Sequence, residues 1–189
     1  CCGAPLSILG FDKDFKEFAE HNRSVIREGG YRTVVCSCPE CVYTFRDVYP
    51  RIGLPLKIEV LHTSEFLLKL VKEGELTFRK CEEEYIYHDP CVLSRKLNIY
   101  VEPRELLRRS GVSVKEAQFN RKETRCCGMG GMITLSHPDI SLEMIKSRNS
   151  ELTRVCKSIV TACPTCKVAF KKVNDLTLDV SEVVLKLLE

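Results

Sequence analysis

Between Phe11 and Gly29, apolar Phe18, Ala19, Val25 and Ile26 lie three, four, ten and eleven positions after Phe15, among charged neighbours. That spacing predicts an amphipathic helix ending at Gly29-Gly30. Thr33-Val34-Val35-Cys36 follows, short and β-branched, and reads as a strand running into a Cys38-Pro39-Glu40-Cys41 turn. The same order returns later in the chain. Ile140, Leu142, Met144, Ile145 and Leu152 predict a helix over 138–155, Ser158-Ile159-Val160-Thr161 a strand, and Cys163-Pro164-Thr165-Cys166 the next turn. After each Cys-Pro-x-Cys a helix is expected (40–48 and 165–173), then a short strand (58–61 and 176–180). Each copy then closes with a helix that begins with similar words, Thr63-Ser64-Glu65-Phe66-Leu67 and Val180-Ser181-Glu182-Val183-Val184.

Strands alternating with helices predict an α/β fold with short parallel sheets and flanking helices. The copies carry a common frame. Cys1-Cys2-Gly3 recurs as Cys126-Cys127-Gly128, and each Cys-Pro-x-Cys begins 36 residues after the second cysteine of its pair. A repeat at fixed spacing organises the chain into two tandem modules. The polar stretch 72–84 separates them, with boundaries expected at 1–78 and 79–189, and Tyr85-Ile86-Tyr87-His88 opens the second.

Composition narrows the chemistry. The 189 residues are 44% hydrophobic and 29% charged with a net charge of +3, ordinary for a globular chain able to bury its own core. Acidic and basic residues are interleaved without a basic stripe or aromatic platform, which argues against a nucleic-acid partner. No apolar run approaches the roughly 20 residues of a membrane span. The outlier is 12 cysteines in a chain without a signal-peptide pattern. That combination points to a reducing, cytoplasmic setting in which cysteines are ligands, not bridges.

In open α/β sheets, ligands gather beyond the carboxyl ends of strands, where Cys38, Cys91 and Cys163 are expected. Pro39 and Pro164 suit a first helical position, making Cys38 and Cys163 candidate helix N-caps whose thiolates face free backbone N–H groups. Gly3, Gly128, Gly130 and Gly131 are candidates for close backbone approach to a bulky group. The second copy offers five cysteines, Cys91, Cys126, Cys127, Cys163 and Cys166, against the four that zinc takes. A polynuclear site accommodates adjacent cysteines more easily, while structural zinc and a thioredoxin-like Cys-Pro-x-Cys redox pair remain alternatives. His88 and Asp89 are candidates to orient a ligand, cap a helix or donate a proton. Cys36, Cys81 and Cys156 fall outside the repeated pattern and read as packing residues.

Tyr87-His88-Asp89-Pro90-Cys91, Pro103-Arg104-Glu105-Leu106-Leu107, Cys126-Cys127-Gly128-Met129-Gly130-Gly131 and Cys163-Pro164-Thr165-Cys166 resemble the second copy of the cysteine-rich CCG domain. The chain is similar to the catalytic iron–sulfur subunits of CoB–CoM heterodisulfide reductases, and the likeness runs essentially end to end. Related families include thiol–fumarate reductases and the iron–sulfur subunits of anaerobic glycerol-3-phosphate dehydrogenase and of lactate and glycolate oxidases. The resemblance implies a noncubane 4Fe–4S cluster in each module, the two facing each other about a pseudo-two-fold axis, each giving one electron to a disulfide bound between them. By position it implies Cys91, Cys126, Cys127, Cys163 and Cys166 as ligands of the second cluster and Cys1, Cys2, Cys38 and Cys41 as ligands of the first. The first module is then expected to be truncated, its leading cysteine lying upstream of Cys1. Met129, Met132 and Ser94 depart from the family pattern. With no Gly-x-Gly-x-x-Gly nucleotide fingerprint, electrons are expected from a flavoprotein or iron–sulfur partner. A disulfide or thiol substrate is expected, with a quinone-linked electron relay as the other reading. Attachment to the inner face of a membrane through a partner subunit is compatible with either.

Overall fold

In the computed structural model, which describes residues 1–189, helix and strand follow each other in the predicted order, and the chain divides into units Cys1–His62 and Thr63–Glu189. The first unit runs α1 (Ala4–Ile8), α2 (Asp12–Glu28), β1 (Thr33–Cys36), α3 (Pro39–Tyr43), a π-helical turn (Thr44–Val48), α4 (Tyr49–Arg51) and β2 (Glu59–His62). β1 and β2 pair in parallel, with Thr33 opposite Glu59 and Cys36 opposite His62. The core is small: Phe15, Ala19, Tyr49 and Leu54, flanked by Leu6, Phe45, Val48 and Leu56. Phe15 and Phe45 meet the Tyr49 ring edge-on at 5.8 and 5.2 Å, a favoured aromatic geometry. Two strands give α2 little sheet to cover. Its Phe15 and Ala19 are buried, whereas Phe18 and Val25, expected in the same stripe, stay largely exposed.

The second unit contains α5 (Thr63–Lys72), β3 (Glu84–His88), a π-helical turn (Val92–Lys96), α6 (Glu102–Arg109), β4 (Ser113–Glu116), α7 (Ile133–Ser136), α8 (Pro138–Thr153), β5 (Ile159–Thr161), α9 (Pro164–Lys171), β6 (Thr177–Asp179) and α10 (Val180–Leu187). Its sheet has the order β4-β3-β5-β6, parallel throughout. Alternate residues of β3 and β5 serve opposite faces, as the pleat requires. Tyr85, Tyr87 and Val160 join Leu68, Leu106, Leu107, Val183 and Leu187 on one side. Ile86 and Ile159 join Ile145, Leu152, Ala169 and Phe170 on the other. A parallel sheet covered on both faces explains why β3 reads as an unbroken buried run after Glu84. α10 begins with a capping box, in which the Ser181 N–H donates to Asp179 and the Asp179 N–H donates to Glu182, at 2.9 and 2.8 Å.

The repeat counts α5 as the end of the first copy, yet α5 packs on α6 and α10 and sends Leu68 into the second unit's core. The packing boundary therefore falls at 62/63, against the module boundary of 78/79 expected from the sequence pattern. α6 and β4 carry no repeat signal. β4 holds one apolar residue, Val114, in four, as suits a half-exposed edge strand. No helix is long and apolar enough to cross a membrane.

Candidate metal centre

In the second unit the chain leaves β3 toward β4 on one side and later returns as β5 on the other. The crevice beyond the carboxyl ends of β3 and β5 is the topological switch point, the usual ligand position in such sheets. Cys91 follows β3 and Cys163 follows β5, so both cysteines reach this crevice. Cys163 is the extended N-cap of α9, with Pro164 in the first helical turn. Cys126 and Cys127 arrive on the loop after β4. That loop is held by Thr124, whose hydroxyl donates to the Asp89 carbonyl at 2.9 Å, and by Arg95, which donates to the carbonyls of Lys122 and Thr124. Gly128 then turns the chain at φ +90° and donates its N–H to the Cys126 sulfur at 3.3 Å. A Cβ there would lie 2.8 Å from the Met144 Cβ, so this glycine is required by α8 packed against it. Gly130 and Gly131 border open space.

The five thiols form one continuous chain of contacts. Cys91 bonds Cys126, Cys126 bonds Cys127, Cys127 bonds Cys166, and Cys166 bonds Cys163. Their protons are shared unequally. Bonds from Cys127 and Cys91, aided by the Gly128 N–H, hold Cys126 far below the usual thiol range despite burial. Its bond to Cys126 pushes Cys127 up to about 12. Cys91, bonded to Cys126, and Cys166, bonded to Cys127 and Cys163, are also held high, with burial adding in both cases. An open recess of about 540 Å³ runs along α8 past Ile140 and Met144 to Cys126.

His88 is fully buried at the end of β3. Arg148 of α8 donates to its Nδ1 at 3.4 Å, and Phe170 lies edge-on at 4.8 Å. Its Nε2 has no partner, and the ligand atoms of His88, Cys127 and Cys166 lie within 4.8 Å of one another. Since Nδ1 accepts, Nε2 carries the ring proton and presents an N–H to the sulfurs. Burial, then the Arg148 charge, lower its pKa to about 3, so the ring is neutral. Asp89, a candidate to orient a ligand, cap a helix or donate a proton, is paired with an arginine. Its two oxygens accept from the two terminal nitrogens of Arg104 at 2.7 Å each, and one also accepts the Arg121 N–H at 2.8 Å. Arg104 in turn bonds Glu116 twice and lies over the Tyr87 ring, clamping the ends of β3 and β4. The positions of Arg104 and Arg148 give a charged side chain no visible sequence signal of burial, apart from the apolar Leu106-Leu107 beside the former.

The first unit repeats the plan on fewer strands. Cys38 is the extended N-cap of α3, with Pro39 behind it. Cys41 bonds both Cys2 and Cys38, which lowers Cys2 to about 6 and Cys38 to about 7 against the opposing effect of burial, and raises Cys41. Tyr49 donates its hydroxyl to the Cys2 carbonyl, and Asn22 donates to the Cys1 carbonyl, each at 2.9 Å, which fixes the pair in place. Gly3 adopts φ +82° and donates to the Cys1 sulfur at 3.5 Å, with Phe15 3.0 Å from where a Cβ would stand. Cys1, Cys2, Cys36, Cys38 and Cys41 line one open recess of about 580 Å³. Burial, with the charges of Cys2 and Cys38, pushes the Cys36 thiol up to about 11. Cys81 and Cys156 lie apart, bonded near Glu83 and Glu84 at the amino end of β3.

The donor sets fit a thiolate-bound metal centre. Five neighbouring thiols exceed the four ligands of structural zinc, and the unpartnered Nε2 supplies a further N–H. Comparison with known proteins agrees with iron–sulfur clusters as the cofactor class. The cysteine-rich domain named CCG matches residues 1–46 and 85–171. A subunit of the dihydromethanophenazine:CoB–CoM heterodisulfide reductase of Methanosarcina mazei is 32% identical, the alignment covering 88% of this chain and 42% of that protein. A subunit of the CoM/CoB fumarate reductase of Methanothermobacter marburgensis is 31% identical over 90% of this chain and 34% of its own length. The EtfAB:quinone oxidoreductase of Syntrophomonas wolfei is 29% identical over 100% of this chain and 29% of its own. The chain thus spans less than half the length of these relatives. The repeated Cys-Cys-Gly and Cys-Pro-x-Cys frame, the thiol groups it assembles and the match over both halves lead to one conclusion: the chain belongs to the cysteine-rich CCG domain family.

Proposed function

We propose that this chain is the cysteine-rich part of an iron–sulfur oxidoreductase subunit that reduces a disulfide, or oxidises two thiols, with electrons from a flavoprotein or iron–sulfur partner. The observation that carries this reading is the continuous set of five thiols at the β3/β5 switch point, reached from solvent along α8. Cys91, Cys126, Cys127, Cys163 and Cys166 would hold one 4Fe–4S cluster of noncubane type, and Cys1, Cys2, Cys38 and Cys41 would hold the other. Such clusters supply single electrons to a bound sulfur substrate. The chain's own residues do the rest. The N-terminal ends of α3 and α9 favour anionic sulfur at Cys38 and Cys163. The His88 N–H faces Cys127 and Cys166 and favours negative charge there, and Arg148 keeps the ring oriented. The Phe170 and Ile145 side chains keep water from the inner thiols.

The likeness to a quinone oxidoreductase favours a second reading, in which the same centres relay electrons to a quinone-linked partner without handling a disulfide. Anaerobic purification with iron, sulfide and zinc analysis, and electron paramagnetic resonance before and after thiol addition, separates them. Iron with matching sulfide and a thiol-sensitive signal is expected. An iron signal indifferent to thiols turns the reading to electron relay, and zinc alone in folded protein removes the redox function.

A further inference from the structure

Two loops border the second unit's thiols, the π-helical turn after Cys91 and the stretch leading to Cys126. Together they expose Arg95, Arg121, Lys122 and Arg125, beside one acid, Glu123. The other carboxylates within reach are held from inside the fold. Asp89 is buried against Arg104. Arg121 and Arg125 touch Glu116 and Glu151 at 3.7 and 3.4 Å, but buried Arg104 and Arg148 already bond these two carboxylates at 2.7 and 2.6 Å. Arg95 directs its donors to the carbonyls of Lys122 and Thr124, which are neutral. The same bonds fix the cations in place. Arg95 ties one loop to the other, and the Arg121 N–H and the Thr124 hydroxyl tie the second loop to Asp89. Charges held on an ordered backbone need little further ordering when a partner arrives.

This charge lies close to the thiols. Arg95 favours the thiolate of Cys91, and Arg125 adjoins Cys126 in the chain. The recess along α8 has another character. Of the four cations it takes in Arg125, together with Asp139, Glu143 and Glu151 and the apolar Ile140 and Met144. A small anion entering there meets carboxylates, whereas an acidic surface laid across the two loops meets cations.

We propose that this cationic face is the docking surface of the electron donor, and that the donor is a redox protein with an acidic surface around its own centre. The donor loses one electron and the second unit's centre gains it, and no proton or group changes place in that step. Attraction between opposite charges orients and speeds such encounters, and salt weakens it. Substrate and electron then reach the centre by different routes, one along α8 and the other across the turn after Cys91. The inference rests on the reading that the five thiols hold a redox centre, and its test keeps the two apart.

A plant-type ferredoxin, an acidic 2Fe–2S protein, serves as the probe. It is mixed at low salt with the anaerobically purified, iron-loaded chain, and a carbodiimide joins carboxylates to lysine amines in contact. Mass spectrometry of the digest is expected to find ferredoxin joined at Lys122 and not at Lys157, an exposed lysine before β5 at the amino end of the sheet. Cross-links spread equally over the two lysines overturn the proposal. Stopped-flow reduction of the chain by reduced ferredoxin gives a second readout. Lys122→Glu is expected to slow it about tenfold at low salt, a loss that shrinks to about twofold in roughly 0.5 M salt. Lys157→Glu changes the net charge equally and is expected to leave the rate within about twofold. Equal slowing by the two variants overturns the proposal. Reduced methyl viologen, a small cation, reports on the centre by itself. A chain that it reduces, while ferredoxin shows no preference for Lys122, keeps the redox centre and loses the docking surface. A chain that neither reductant reduces loses both. Binding to phosphatidylserine vesicles that Lys122→Glu abolishes, with the ferredoxin rate unchanged, assigns the face to a membrane and likewise overturns the proposal.

Discussion

At the scale of residues, position relative to the sheet separates the cysteines that can act together from those that cannot. Cys127 bonds two other thiols beneath α8, whereas Cys156 bonds only a backbone carbonyl at the other end of the strands. Cys127→Ser is therefore expected to remove most of the second unit's iron, and Cys156→Ser almost none. Iron analysis of the two variants checks this, and equal losses would mean that the ligand assignment is wrong. Arg104 is as buried as any core leucine, yet it holds two carboxylates. Arg104→Met leaves Asp89 buried without its cation and is expected to cost about 3–5 kcal/mol in urea unfolding. The same variant tests a pH effect. Partial burial pushes Glu116 up, but the bonds and charge of Arg104 outweigh it and leave Glu116 below its usual value. A lowered carboxylate contributes stability above its unfolded pKa of about 4.3 and loses it as pH falls through the folded value. Acid sensitivity below about pH 4.3 should thus be weaker in Arg104→Met than in the parent. Cysteine spacing made the thiols legible in the sequence because ligand positions recur. His88 and Asp89 are neighbours in sequence with separate roles, and that division depends on Arg104 and Arg148, remote residues whose burial has no local pattern.

At the scale of elements, the Cys-Cys-Gly tripeptide acts as a hinge set against a helix. In both copies glycine takes a left-handed conformation, turns its N–H to the first cysteine and lies against the next long helix, α2 or α8. Gly128→Ala meets both the Met144 side chain and a backbone conformation hostile to Cβ, and is expected to cost about 2–4 kcal/mol. Gly53→Ala, with a similar φ but open space, should cost only about 1 kcal/mol. Comparable losses in the two unfolding curves would refute the close-packing explanation. Helix and strand order followed from periodicity, and β1 and the starts of α5 and α10 fall where the pattern puts them. The segment expected as one helix over 40–48 instead changes from α3 to a π-helical turn before α4, and a second such turn follows Cys91. Apolar spacing does not distinguish these windings, because five residues span little more than one turn and show no period.

At the scale of the whole molecule, the two copies share a frame, which over residues 1–189 rests on two paired strands in the first unit and four in the second. β3 and β5 are flanked on both edges and buried on both faces, whereas β1 has one neighbour and only partly buried residues. Hydrogen exchange should therefore be slowest at Ile86, Tyr87, Ile159 and Val160, and about tenfold or more faster along β1. Uniform protection of β1 and β5 would contradict this. The repeat was legible across the full chain because its motifs are chemical. The edge strand β4 was not, since it contributes little apolar pattern of its own. The contact between neighbouring thiols also bears on the protein's life before any metal arrives. A thiolate touching a thiol is what an oxidant converts most readily into a disulfide. Cys126 and its neighbours form such a pair in the bare chain. Oxygen reaching a newly made molecule first would close the pocket with a covalent bond that no later supply of iron can enter, so maturation has to run under reductant from the start.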